Sequence, residues 1–86
     1  MIIRDAFDDR FSTTFIMSNG SKITATDLAD MILDLWDRTP EDADEEKFFE
    51  HHFSHIKSDL KIEREGKIFD VTDADMDDFK YVLDAR

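Results

Sequence analysis

Between residues 10 and 17 the chain reads Arg-Phe-Ser-Thr-Thr-Phe-Ile-Met. Phe11, Thr13, Phe15 and Met17 occupy every second position, the two-residue period of a strand. Asn19-Gly20 follows, a favoured two-residue hairpin turn because both residue types tolerate positive φ. Lys22 to Ala25 is then the returning strand, with Ile23 turned inward. A second hairpin is predicted from Leu60-Lys61-Ile62-Glu63, a turn near Glu65-Gly66, and a partner strand from Lys67 to Val71. Residues 1–9 suit a short helix and an edge strand equally.

From Asp27 to Asp37 the period changes. Leu28, Met31, Ile32, Leu35 and Trp36 fall at i, i+3, i+4, i+7 and i+8, the apolar stripe of a helix with Thr26 as its N-cap. A second helix is predicted to open at Thr39-Pro40-Glu41-Asp42, which offers an N-cap, a proline at N1 and acids in the first turn. It runs to about Lys57 and buries Phe48, Phe49, Phe53 and Ile56. A third helix follows Thr72 and buries Met76, Phe79, Val82 and Leu83. The two halves echo each other: Lys22-Ile23 leads to Thr26-Asp27-Leu28-Ala29-Asp30-Met31, and Lys67-Ile68 leads to Thr72-Asp73-Ala74-Asp75-Met76. The order ββα-α-ββα predicts an α+β fold. Its four strands form one antiparallel sheet, with the helices packed on one face.

Composition is consistent with one domain over residues 1–86. A chain this long buries only roughly 60–65% of the surface exposed when unfolded, so its stability margin is thin. Apolar residues make up 41% of the sequence, and eight Phe, four Met and one Trp supply core volume. There is no cysteine, which excludes disulfides and thiolate metal sites. No apolar run reaches the roughly 18 residues of a membrane-spanning helix. The first nine residues carry acids from the fifth onward and lack the apolar run of a secretory signal. A cytoplasmic setting is the expectation.

Charge changes the picture. Twenty-two acids against 11 bases give a net charge of −11. The imbalance is local: residues 26–46 hold nine acids and one base, and residues 70–86 hold six acids and two bases. Residues 1–25 are neutral and residues 47–69 carry one net positive charge. Such a chain is repelled by nucleic-acid phosphates and by anionic membranes, and is drawn rapidly to basic proteins. On a helix, Asp27, Asp30, Asp34 and Asp37 fall within about 80° of one another, at axial spacings of roughly 4.5, 6 and 4.5 Å. An ordinary solvated helix face mixes signs through i,i+4 pairs, and this one has no lysine. Glu41, Asp42, Asp44, Glu45 and Glu46 exceed the two or three acids that a helix dipole favours at its N-terminus. They are expected to project into solvent and to extend the row.

Other chemistries fit less well. Asp73-Ala74-Asp75-Met76-Asp77 begins like a calcium loop, but Asp78 stands where glycine is required and Asp84 where a bidentate glutamate is required. A Thr72 cap accounts for the same residues more simply. His51 and His55 lie one helical turn apart and, with Asp44, sketch a zinc site that lacks further ligands. His52 falls within the apolar stripe, as a packed core residue would. Neither a metal nor another cofactor is expected. With two glycines, both in turns, there is no phosphate-cradling loop, and a chain this short has little material for a deep pocket. No catalytic residues are assigned, and an enzyme is not expected.

In charge character the chain resembles the small inhibitors that imitate nucleic acid. These include phage-encoded anti-CRISPR and anti-restriction proteins and, more broadly, acidic immunity proteins that plug basic nucleases. Asp27, Asp30, Asp34, Asp37, Glu41, Asp42, Asp44, Glu45 and Glu46 carry the resemblance, about a quarter of the chain, and no sequence motif accompanies it. What it implies is a stoichiometric inhibitor whose carboxylates meet Arg and Lys in the channel of a basic nucleic-acid-binding protein or nuclease complex. The alternative expectation is an adaptor or regulatory domain that binds through outward sheet residues such as Thr14 and Ile16, with the acids serving solubility.

Overall fold

A single cross-strand row, Ile23–Phe15–Ile62–Phe69, defines the sheet. The computed structural model describes residues 9–85. Its elements are α1 (Asp9–Ser12), β1 (Thr14–Ile16), β2 (Lys22–Thr24), α2 (Ala25–Asp37), α3 (Glu45–Asp59), β3 (Lys61–Arg64), β4 (Lys67–Asp70) and α4 (Asp73–Asp84). The strands form one antiparallel sheet in the order β2-β1-β3-β4, so two hairpins meet along β1 and β3. The molecule belongs to the α+β class.

The predicted strand over residues 10–17 is shorter than its alternation suggests. Residues 9–12 turn instead as α1, where the Asp9 carbonyl accepts hydrogen bonds from the Ser12 hydroxyl at 3.2 Å and the Thr13 hydroxyl at 3.1 Å. Phe11 packs edge-on against Tyr81 at 5.9 Å, and its carbonyl accepts the Thr26 hydroxyl at 2.9 Å. Residues 1–8, most of the segment read as helix or edge strand, lie outside the described residues.

The first turn is not the two-residue turn expected at Asn19-Gly20. The Met17 carbonyl accepts the Gly20 N–H, and the Ser21 carbonyl accepts the Met17 N–H, both at 2.8 Å. The loop is therefore three residues long, with left-handed Gly20 at φ +87° and Asn19 on the ordinary side. The two-residue turn with both positions left-handed occurs at Glu65 (φ 52°) and Gly66 (φ 78°). That conformation matches strand twist.

Helix starts also move. Thr24, not Thr26, caps α2, its hydroxyl accepting the Asp27 N–H at 3.1 Å, which brings Ala25 into the helix. Thr39 and Pro40 do not open α3. The Thr39 hydroxyl donates back to the Trp36 carbonyl at 2.6 Å, closing α2, and a turn from Pro40 to Ala43 follows. Asp44 is the actual cap of α3, accepting the Lys47 N–H at 3.2 Å. A connector ended by its own turn leaves no room for the earlier start.

The core gathers Phe15 and Ile62 of the sheet with Leu28, Ala29 and Ile32 of α2, Ile56 of α3, and Met76, Phe79, Val82 and Leu83 of α4. Phe79 meets Phe15 edge-on at 5.7 Å and Phe53 at 6.2 Å. α3 is the least embedded long helix. Only Ile56 is fully buried, while Phe48, Phe49 and Phe53, expected in the core, are half-buried. They form an aromatic seam with Trp36, which lies 5.1 Å from Phe48 and 5.7 Å from Phe49.

A candidate acidic interface

All nine carboxylates named above, from Asp27 to Glu46, belong to solvent-exposed residues. Their placement on α2 follows from helix geometry. Ala25, Leu28, Ala29 and Ile32 turn into the core, and at about 100° per residue Asp27, Asp30, Asp34 and Asp37 point to the opposite side. Glu41 and Asp42 stand in the connector, Asp44 at the cap, and Glu45 and Glu46 in the first turn of α3. The connector is braced by the Thr39 bond to Trp36 and by the Pro40–Ala43 turn. The Trp36–Phe48–Phe49 seam pins both helix ends that flank it. These hydrogen bonds and ring contacts thus fix the connector between the acids of α2 and those of α3.

Four basic residues are paired with acids outside this stretch. Lys22 pairs with Glu63 at 2.8 Å, Lys57 with Asp73, Lys61 with Asp70, and Arg64 with Asp75. The lysine partners hold the carboxyls of Asp70 and Asp73 below the ordinary aspartate range. Within the acidic stretch, Arg38 pairs with Asp34 at 3.0 Å, a contact exposed on both sides. Asp44 is also partly engaged, by its own cap.

Asp37 is placed where it costs stability. It ends α2, a helix with no base in its last turn, so its charge faces the negative end of the helix dipole. Asp37→Asn is expected to raise unfolding free energy by about 0.5 kcal/mol at low salt. Urea denaturation followed by circular dichroism reads this gain directly, and the gain should shrink as salt is added.

Glu46 also rims an open groove of about 460 Å³ between α3 and α4, floored by Phe49, Phe53 and Met76. Two exposed apolar side chains of α2, Met31 and Leu35, each 40% accessible, were expected in the core stripe. They sit at its margin, because Ala25 and Ala29 shift the buried side of the helix away from them. Sequence alone also missed the position of Asp75, which is buried at 5% accessibility.

The histidines do not form a site. His55 Nδ1 lies 2.8 Å from Asp59, and His51 is exposed. His52 is half-buried against Phe48 at 4.5 Å, not a core residue. Desolvation, followed by the charges of His51 and His55, holds its imidazole below the usual histidine range. Among the described residues no three His, Asp or Glu side chains are grouped to hold a metal ion. No helix among them is long and apolar enough to cross a membrane. Comparison with known protein families, curated proteins and solved structures found no match.

Proposed function

We propose that this chain is a small acidic inhibitor that occupies the cationic nucleic-acid-binding surface of a partner protein, in the manner of anti-CRISPR or anti-restriction proteins. One observation carries the reading. The acids of α2 face directly away from the core, those of residues 41–46 are equally exposed, and four of the chain's basic side chains are paired with acids outside this stretch. A row of carboxylates spaced by one helical turn offers a cationic channel a charge density on the scale of a strand's phosphates. The acids steer encounter and select a basic partner, and the apolar floor beside Glu46 offers a place for an uncharged anchor.

The test is competition with labelled duplex DNA for purified CRISPR and restriction nucleases, run across a salt series. Inhibition should weaken steeply with salt. The double reversal Asp34→Lys, Asp37→Lys should weaken it by roughly tenfold or more, since each change removes an attraction and adds a repulsion. Undiminished inhibition by a folded double variant would overturn the reading. The sheet-docking alternative draws on Ile68, which is 62% accessible, and on half-buried Thr14 and Ile16. It is favoured if Ile16→Asp abolishes partner binding while the double reversal does not.

A further inference from the structure

We infer that β4 is the contact through which two copies of this chain associate, edge to edge and antiparallel, around a twofold axis through Phe69. β4 is one of the two outer strands of the sheet, and unlike β2 it has all four of its residues exposed. The two-residue turn at Glu65-Gly66 makes Arg64 and Lys67 the closing hydrogen-bonded pair. Bonding alternates along an antiparallel ladder, so Ile62 and Phe69 are the next bonded pair. The N–H and C=O groups of Ile68 and Asp70 therefore point to the open edge. An unpaired edge is a template for another strand.

The occupant follows from charge and from symmetry. Residues 60–71 hold three bases and three acids, a neutral stretch in a chain of net charge −11. Asp70 is already paired with Lys61. A cationic partner gains little at this edge, whereas a second copy meets less repulsion here than along residues 26–46. A twofold axis perpendicular to the sheet keeps each face on its own side, so only residues of like face can oppose each other. Centring the axis on Phe69 satisfies this. Ile68 and Asp70 of one copy then exchange backbone hydrogen bonds with Asp70 and Ile68 of the other. The two Phe69 rings, each 46% accessible, meet as a close cross-strand pair. This contact stands apart from the acidic interface, which lies on other elements.

Sedimentation velocity from low micromolar to millimolar protein tests it. Dimer should grow with concentration and strengthen as salt screens the net charge, the reverse of the salt effect expected for partner binding. Ile68→Pro removes the outward N–H without touching the β3–β4 ladder and should weaken the dimer by about thirtyfold. Phe69→Ala should weaken it as well, and circular dichroism confirms that both variants fold. The chain has no cysteine, so single substitutions report register. Phe69→Cys should cross-link between copies under mild oxidation much faster than Ile68→Cys, since directly opposed non-bonded positions lie within disulfide reach. A protein that stays monomeric throughout, or a folded Ile68→Pro that dimerises as well as the parent, overturns the contact. Faster cross-linking at Ile68 overturns the Phe69-centred register.

Discussion

Phe79→Ala is expected to lower the free energy of unfolding by about 3–5 kcal/mol. Phe79 is 1% accessible and its ring touches both Phe15 of the sheet and Phe53 of α3. Its ring thus bridges β1, α3 and α4 in a single aromatic chain. Truncation removes that volume at a point where neither a strand nor a helix can collapse inward cheaply. A domain of this length has a total stability of roughly 4–13 kcal/mol, so the variant should be substantially unfolded on warming. Phe79→Leu keeps most of the volume and should lose less than half as much. Guanidinium titrations of the two variants separate cavity formation from any special role of the ring. Equal losses would show that shape, not volume, is what the site requires.

Asp75→Ala is expected to cost about 2–3 kcal/mol, far more than loss of any of the exposed acids. Its carboxylate accepts the Thr72 N–H and the Thr72 hydroxyl, both at 2.9 Å, while the Thr72 hydroxyl accepts the Asp75 N–H at 3.2 Å. The Arg64 guanidinium donates to the other carboxylate oxygen. One side chain therefore closes the capping box of α4 and ties that helix to the β3–β4 hairpin. Burial pushes this carboxyl up, but the Thr72 N–H, the Arg64 guanidinium and the Thr72 hydroxyl together hold it below the ordinary aspartate value of 3.8. Its contribution is thus complete above about pH 4 and is lost as pH falls through the lower, folded-state value. Asp75→Asn should flatten that part of the acid-unfolding curve while keeping the shape of the site. An acid profile identical to the parent's would remove Asp75 as the linkage between pH and stability.

The difference between Asp75 and its neighbours shows what a one-dimensional pattern can and cannot convey. Thr72 reads as a cap from residue type alone, because a short hydroxyl before an amphipathic run has few other uses. That the acid three residues later is buried depends on Arg64, eleven positions upstream across a hairpin, and no periodicity reports it. Strand pairing was legible where turn and alternation agreed, as at Glu65-Gly66. It misled at residues 10–12, where Arg10, Phe11 and Ser12 complete one helical turn begun at Asp9 and Phe11 has Tyr81 to pack against. Thr39-Pro40 carries the signature of a helix start, yet the same hydroxyl serves equally to close the helix before it. Asp44 had the stronger claim, because its oxygen reaches an N–H inside a helix long enough to persist.

The acidic segment was legible for a different reason. Helical phase places Asp27, Asp30, Asp34 and Asp37 on one side wherever the helix begins, so a two-residue error in the cap leaves their common direction unchanged. For residues 41–44 the expected helical display gave way to a turn and a cap, and exposure survived because nothing in residues 41–46 is apolar except Ala43. What sequence did not show was the destination of the bases, which is decided by sheet register: Lys61 opposes Asp70, and Arg64 reaches the start of α4.

Trp36 is the only tryptophan in the chain, and it stands in the aromatic seam where α2 meets α3. Its emission is consequently an intrinsic optical gauge of that junction, free of any engineered label. Partial release of α3 should redden the spectrum while far-ultraviolet ellipticity from the sheet and α4 still holds, and a ligand settling over residues 34–46 should alter the same signal stoichiometrically.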